Sequence, residues 1–159
     1  MILGITGPTG SGKTTFLNCI AEKGGIILDC DAIYHTLLRT DESLLRALDA
    51  RFPGTVENGQ LQRKKLGAVV FGDQAALADL NAITHTAVKR EVLKMIPPTP
   101  KLVAIDAIAL FEGGLAELCH TTVAITALRD CDEDVAAMTA EYDRRRRLIY
   151  NGLHDIGIE

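Results

Sequence analysis

Gly7-Pro8-Thr9-Gly10-Ser11-Gly12-Lys13-Thr14 has the spacing G-x-x-x-x-G-K-T without a mismatch. The glycines let the backbone turn tightly and bare its N–H groups, which makes a concave seat for anionic oxygens. On the upstream side, Ile2-Leu3-Gly4-Ile5 is a short apolar run that reads as a buried strand. On the downstream side, Phe16, Leu17 and Ile20 fall at helical spacing over Thr14 to Glu22, and Lys23-Gly24-Gly25 stops that helix. Strand, glycine turn and helix in this order aim the positive end of the helix at the same point as the loop amides.

Farther out, Ile26-Ile27-Leu28 reads as a second strand ending at Asp29-Cys30-Asp31. Strand, helix and strand within about thirty residues predict a parallel βαβ unit. From Ala32 to Ile96 no convincing strand occurs. Helical stretches are expected at Ala32–Leu38, Leu44–Phe52, Arg63–Phe71, Gln74–Ile83 and Thr86–Ile96, with a turn at Glu57-Asn58-Gly59. Pro97-Pro98-Thr99-Pro100 ends this region. Strands resume at Leu102–Ile105 and Thr122–Ile125, and a brief helix is expected between them within Ala107–Leu118. The predicted fold class is α/β, a P-loop NTPase three-layer α/β/α arrangement with a parallel sheet and a helical insertion at about 32–96. A length of 159 residues suits one domain over 1–159.

Composition narrows the function classes. Net charge is −4, so the broad basic field of a nucleic-acid binder is missing, although a basic run does occur at Arg144 to Arg147. The most apolar stretch, Leu102 to Phe111, is interrupted by Asp106, which argues against a membrane span. The first positive side chain is Lys13, which argues against a signal peptide. Cys19, Cys30, Cys119 and Cys131 form no C-x-x-C pair, so reduced thiols in a cytoplasmic protein are expected. The partner expected is a small molecule, with neither nucleic acid nor membrane, and nothing in the chain specifies an oligomeric state.

The loop predicts a nucleoside triphosphate site made by Gly7, Thr9, Gly10, Ser11, Gly12, Lys13, Thr14 and Thr15. Lys13 can reach the β- and γ-phosphates, and the Thr14 hydroxyl can join a Mg²⁺ shell. The GTPase strings N-K-x-D and D-x-x-G are missing, so ATP is the expected nucleotide. Ligands of open α/β sheets bind beyond the carboxyl ends of the strands, where Asp29, Asp31 and Asp106 are expected. Asp31 can orient the proton of an attacking hydroxyl or cap a helix. Asp106 can hold Mg²⁺ through water or end a strand. His85 is either structural or a substrate contact, with Lys89 and Arg90 one turn on, either facing an anion or solvated. Glu112 reads as a capping or packing residue before Gly113-Gly114.

Several segments together resemble the dephospho-CoA kinase family. Besides Gly7 to Thr15, these are Asp29-Cys30-Asp31-Ala32-Ile33, Gly59-Gln60-Leu61-Gln62-Arg63, Val70-Phe71, Leu80-Asn81-Ala82-Ile83-Thr84-His85, and Asp106-Ala107-Ile108-Ala109-Leu110-Phe111-Glu112-Gly113-Gly114-Leu115. The resemblance covers about residues 1–127. It implies transfer of the ATP γ-phosphoryl group to the ribose 3′-hydroxyl of dephospho-CoA, the last step of coenzyme A synthesis, with Mg²⁺. It further implies that Lys13 and Asp31 are catalytic, and that Asp31, His85, Lys89 and Asp106 meet the acceptor. Metal contacts would fall to Thr14 and Asp106. The helical insertion would be the CoA side of the enzyme. Thr86 stands where the family usually has Pro, and Cys30 where it usually has Ala. From Leu128 to Glu159 the tail is atypical of the family, whose lid arginines do not align there. A truncated or frame-shifted gene is one explanation. The alternatives are another nucleoside or nucleotide kinase, or a non-catalytic ATP-binding remnant.

Overall fold

The computed structural model describes residues 1–99 and 101–126. The atypical tail at 128–159, with Arg144 to Arg147 and Cys131, lies outside the described residues. Four strands form one parallel sheet: β1 (Ile2–Thr6), β2 (Ile26–Asp29), β5 (Val103–Asp106) and β6 (Thr121–Ala124), in the order β2-β5-β1-β6. Ile5 is in register with Asp106, and Asp106 with Asp29. That register brings the carboxyl ends of three strands to one edge.

Alternation of side chains across the pleat gives the sheet two covered faces. Leu3, Ile5 and Ala104 meet Phe16, Leu17 and Ile20 of α1 (Lys13–Glu22) on one side. Val103, Ile105 and Leu28 belong to a larger core shared with α2 (Cys30–Thr40), α3 (Glu42–Arg51), α4 (Arg63–Val70) and α5 (Gln74–Met95). This is the expected α/β layering, and the helices between β2 and β5 share their core with the sheet.

Two expectations are corrected. The strand-free insertion contains a small hairpin, β3 (Val56–Glu57) and β4 (Gln60–Leu61). Strands of two residues are too short to show alternation. Their turn is the predicted one, with Asn58 at φ 52° and Gly59 at φ 72°. Second, the two helices expected either side of His85 are one 22-residue helix, α5. Thr84 and Thr86 do not break it because their hydroxyls donate back to the carbonyls of Leu80 and Ala82 at 2.8 and 2.7 Å. Thr84, Ala87, Val88 and Val92 bury the face that holds it in place. The brief helix expected within Ala107–Leu118 is a single 3₁₀ turn at Ala116–Leu118.

Candidate phosphate and acceptor site

The loop between β1 and α1 has the backbone that its glycines permit. Gly10 and Gly12 sit at φ 81° and 93°, and a methyl group added at either would meet nothing within 4 Å. Gly12 caps α1 without a side-chain bond. Among the described residues, no acceptor engages the N–H groups of Gly10, Gly12, Lys13 and Thr14. Donors left open at a helix N-terminus are an anion seat. Ser11 Oγ is buried without a partner in the same loop. Lys13 Nζ donates to the carbonyls of Gly7 at 2.6 Å and Pro8 at 3.1 Å, so its ammonium is tethered to the cradle.

A cavity of about 400 Å³ lies over this loop, lined by Thr9, Gly10, Gly12, Lys13 and Thr14 on one side and Asp29, Asp31 and Asp106 on the other. The three carboxylates predicted at strand ends are therefore gathered in one place, facing the lysine. Burial pushes the Asp106 carboxyl up; Lys13 pulls it back, while Asp29 and Asp31 add to the rise. The capping role that the sequence left open at Asp31 falls to its neighbour. Asp29 is the cap of α2, its Oδ1 accepting from the Ala32 N–H at 2.9 Å. Asp31 stands in the first turn of that helix, exposed, with no capping duty.

A second cavity, of about 220 Å³, adjoins the first, and Asp31, Ala107 and Ile108 line both. It runs between α2 and α5, past Tyr34, Asn81 and His85. The His85 ring packs against Gly113: a methyl group there would lie 3.6 Å from the ring. Lys89 points one turn farther along and pairs with Glu117 at 2.8 Å. It does not line either cavity. Arg90 pairs with Asp41, away from the site. Glu112 is exposed and starts no helix. Tyr34 and Ile108 escaped the sequence reading. Tyr34 lies three residues after Asp31 on one helix face, a spacing that was legible. Ile108 is 61% exposed although apolar, and only the surface reveals that.

Cys30 is buried at the floor of the second cavity. Burial, then the charges of Asp106, Asp29 and Asp31, push its thiol up to about 12. It is thus a neutral packing group there. Cys19, Cys30 and Cys119 are all free thiols. Among the described residues no three His, Cys, Asp or Glu side chains converge as a metal cage. A Mg²⁺ ion bound with a nucleotide needs only one or two protein groups beside phosphate and water. The hydroxyl of Thr14 and the carboxylate of Asp106 in one cavity fit that demand. No helix among the described residues is long and apolar enough to cross a membrane.

Comparison with known proteins identifies the family. The family model described as dephospho-CoA kinase matches residues 1–146. That extends past residue 127, where the sequence resemblance was expected to end. A dephospho-CoA kinase of Paramagnetospirillum magneticum is 36% identical over 130 residues, covering 79% of this chain and 61% of the relative. One from Deinococcus radiodurans is 41% identical over 117 residues, covering 71% and 56%. The chain thus spans less than two thirds of the length of these relatives. The crystal structure of TT1252 from Thermus thermophilus superposes with a TM-score of 0.65 at 29% identity, covering 92% of this chain and 84% of that one. With its sheet, its phosphate loop and a family match over most of its length, the chain belongs to the dephospho-CoA kinase family.

Proposed function

We propose that the chain transfers the γ-phosphoryl group of ATP to the ribose 3′-hydroxyl of dephospho-CoA, as one cytoplasmic kinase domain. The observation that carries this reading is the position of Asp31, shared by the phosphate cavity and the cavity between α2 and α5. A donor seated on the loop and an acceptor seated against α5 would meet at its carboxylate. In a loose phosphoryl-transfer transition state, holding both partners in line contributes more than basicity does. Asp31 would orient the hydroxyl and accept its proton. Lys13 would leave the Gly7 and Pro8 carbonyls for the β- and γ-phosphate oxygens. The amides from Gly10 to Thr14 would hold the remaining phosphate charge, with Thr9, Ser11 and Thr15 completing the loop and Gly7 setting its first turn. Thr14 and, through water, Asp106 would hold Mg²⁺, which when bound would supply neutralisation of phosphate charge. His85 would contact the acceptor directly. Lys89 would join it only by exchanging Glu117 for an acceptor anion.

The test is ADP release by the purified chain with ATP and Mg²⁺, with and without dephospho-CoA, beside a panel of nucleosides. The expected result is release that depends on dephospho-CoA. Asp31→Asn should keep ATP affinity and lower turnover by about 10²–10⁴-fold, whereas Lys13→Ala should abolish ATP binding. ADP release indifferent to dephospho-CoA, or unchanged in Asp31→Asn, would refute the proposal.

A further inference from the structure

The two cavities meet at the start of one short segment, where Ala107 and the exposed Ile108 line both. From Ala107 to Leu115 this segment is held as a unit. The Gly113 and Leu115 N–H groups donate to the carbonyls of Ala109 and Leu110 at 2.8 and 3.1 Å. The Leu110 side chain is fully buried over Gly4 of β1, where an added methyl group would lie 2.9 Å from it. Farther along, Gly113 lies against the His85 ring and Glu117 pairs with Lys89, so the unit leans on α5.

Its attachment to the phosphate loop is much slighter. The Ala107 N–H donates to the Ile5 carbonyl at 3.1 Å, which carries the β1–β5 pairing one residue past Asp106. Next to it, the Thr6 hydroxyl donates to the Ile108 carbonyl at 3.1 Å. Among the described residues, no other hydrogen bond reaches that carbonyl, and none joins 107–115 to 7–14. Thr6 is itself fixed from behind, because its own carbonyl accepts from the Ile125 N–H at 2.8 Å. The carbonyl that follows, on Gly7, is the one that holds Lys13 Nζ at 2.6 Å. One peptide therefore separates the hydroxyl that ties down the shared wall from the carbonyl that tethers the loop ammonium. A β-branched side chain is stiff at χ1, so threonine presents this hydroxyl at a set angle.

We propose that Thr6 is a positioning residue for phosphoryl transfer. Its hydroxyl fixes the spacing between the phosphate loop and the segment 107–115, so that donor and acceptor arrive in line at Asp31. This rests on the reaction assigned above. Thr6 lines neither cavity, so its removal acts on the rate of transfer and spares the affinity for either ligand. In-line transfer is sensitive to misplacement on the order of 1 Å, the scale on which one lost tie lets two walls drift.

The experiment compares the wild-type chain with Thr6→Val, which keeps the branched shape without the donor, and Thr6→Ser, which keeps the donor. The readouts are the single-turnover rate by rapid quench at saturating ATP, Mg²⁺ and dephospho-CoA, the KM for each ligand, and thermal melts. Thr6→Val should transfer about three- to tenfold more slowly, the fold-change of one net hydrogen bond. Both KM values should hold within about twofold, and Thr6→Ser should transfer within about twofold of the wild type. A hydroxyl that only steadies the fold would lower the melting midpoint and the fraction of active chain, leaving the rate per bound ATP unchanged. An unchanged rate in Thr6→Val, a loss confined to KM, a serine variant as slow as the valine, or a valine variant that no longer melts cooperatively would each overturn the positioning role. Any of these beside normal transfer by the wild type leaves the kinase reading standing. A wild type without transfer to dephospho-CoA would sink that reading and the positioning role with it.

Discussion

Gly7→Ala is the sharpest perturbation that the phosphate loop offers. Gly7 has φ 147°, and a methyl group there would sit 2.1 Å from the carbonyl oxygen of Ile125. Ordinary contact begins near 3.4 Å, so the overlap is 3.4 less 2.1, about 1.3 Å. That oxygen belongs to backbone, and the adjoining Ile125 N–H is bonded to the Thr6 carbonyl at 2.8 Å, so the obstacle cannot swing aside as a side chain would. Overpacking costs about 1–3 kcal/mol, and a backbone angle that L-residues avoid adds about 1–2 kcal/mol. The sum, about 2–5 kcal/mol, is a large share of the ~5–15 kcal/mol that stabilises a typical domain. At about 2–4 °C per kcal/mol for a chain of this size, the melting midpoint should fall by roughly 4–20 °C. The control is Gly10→Ala, at φ 81° with open space around the added carbon, where only the backbone term of about 1–2 kcal/mol applies. Thermal melts of both variants by circular dichroism decide the matter. A Gly7→Ala midpoint no lower than that of Gly10→Ala would refute the reasoning that the Ile125 carbonyl leaves no room for a side chain at Gly7.

Asp106 has a raised pKa in the folded chain, so folding there takes up protons, and its contribution to stability falls as pH rises from the ordinary carboxylate value through the raised one. Asp106→Asn should therefore raise the midpoint of the ligand-free chain at pH 7, and the gain should vanish once both states are protonated; melts across pH check it. Asp41 behaves oppositely. Its side chain caps α3 through Ser43 and Leu44, and the Ser43 hydroxyl bond, with help from Arg90, holds its carboxyl below the usual range. Asp41→Ala should cost about 0.5–2 kcal/mol at neutral pH, an effect that shrinks as acid protonates the wild-type carboxylate through its lowered pKa. Alkylation at pH 8 followed by mass mapping should mark exposed Cys19 well before Cys30, whose thiol is pushed up to about 12; equal labelling would contradict that burial.

The phosphate loop was legible in the chain because its physics is local. Glycines within six residues decide the backbone, and the helix that follows supplies the field, so Gly7 to Thr14 needed no distant partner to be recognised. The same holds for β1, α1 and β2, whose apolar runs are short, dense and bounded by glycine. Sequence could not choose between capping and chemistry at Asp31, because either aspartate of Asp29-Cys30-Asp31 can cap a helix. The backbone answers only the capping half of that question: Asp29 bonds the Ala32 N–H and its neighbour is exposed. Nor could spacing reveal that Lys89 turns to Glu117, 28 residues away, while Arg63 is left to His35, another 28 residues distant. These pairings, like the gathering of Asp29, Asp31 and Asp106, depend on parallel strands separated by a long crossover. The order β2-β5-β1-β6 is set by which faces can be buried together, a property of the whole core that no window of sequence contains.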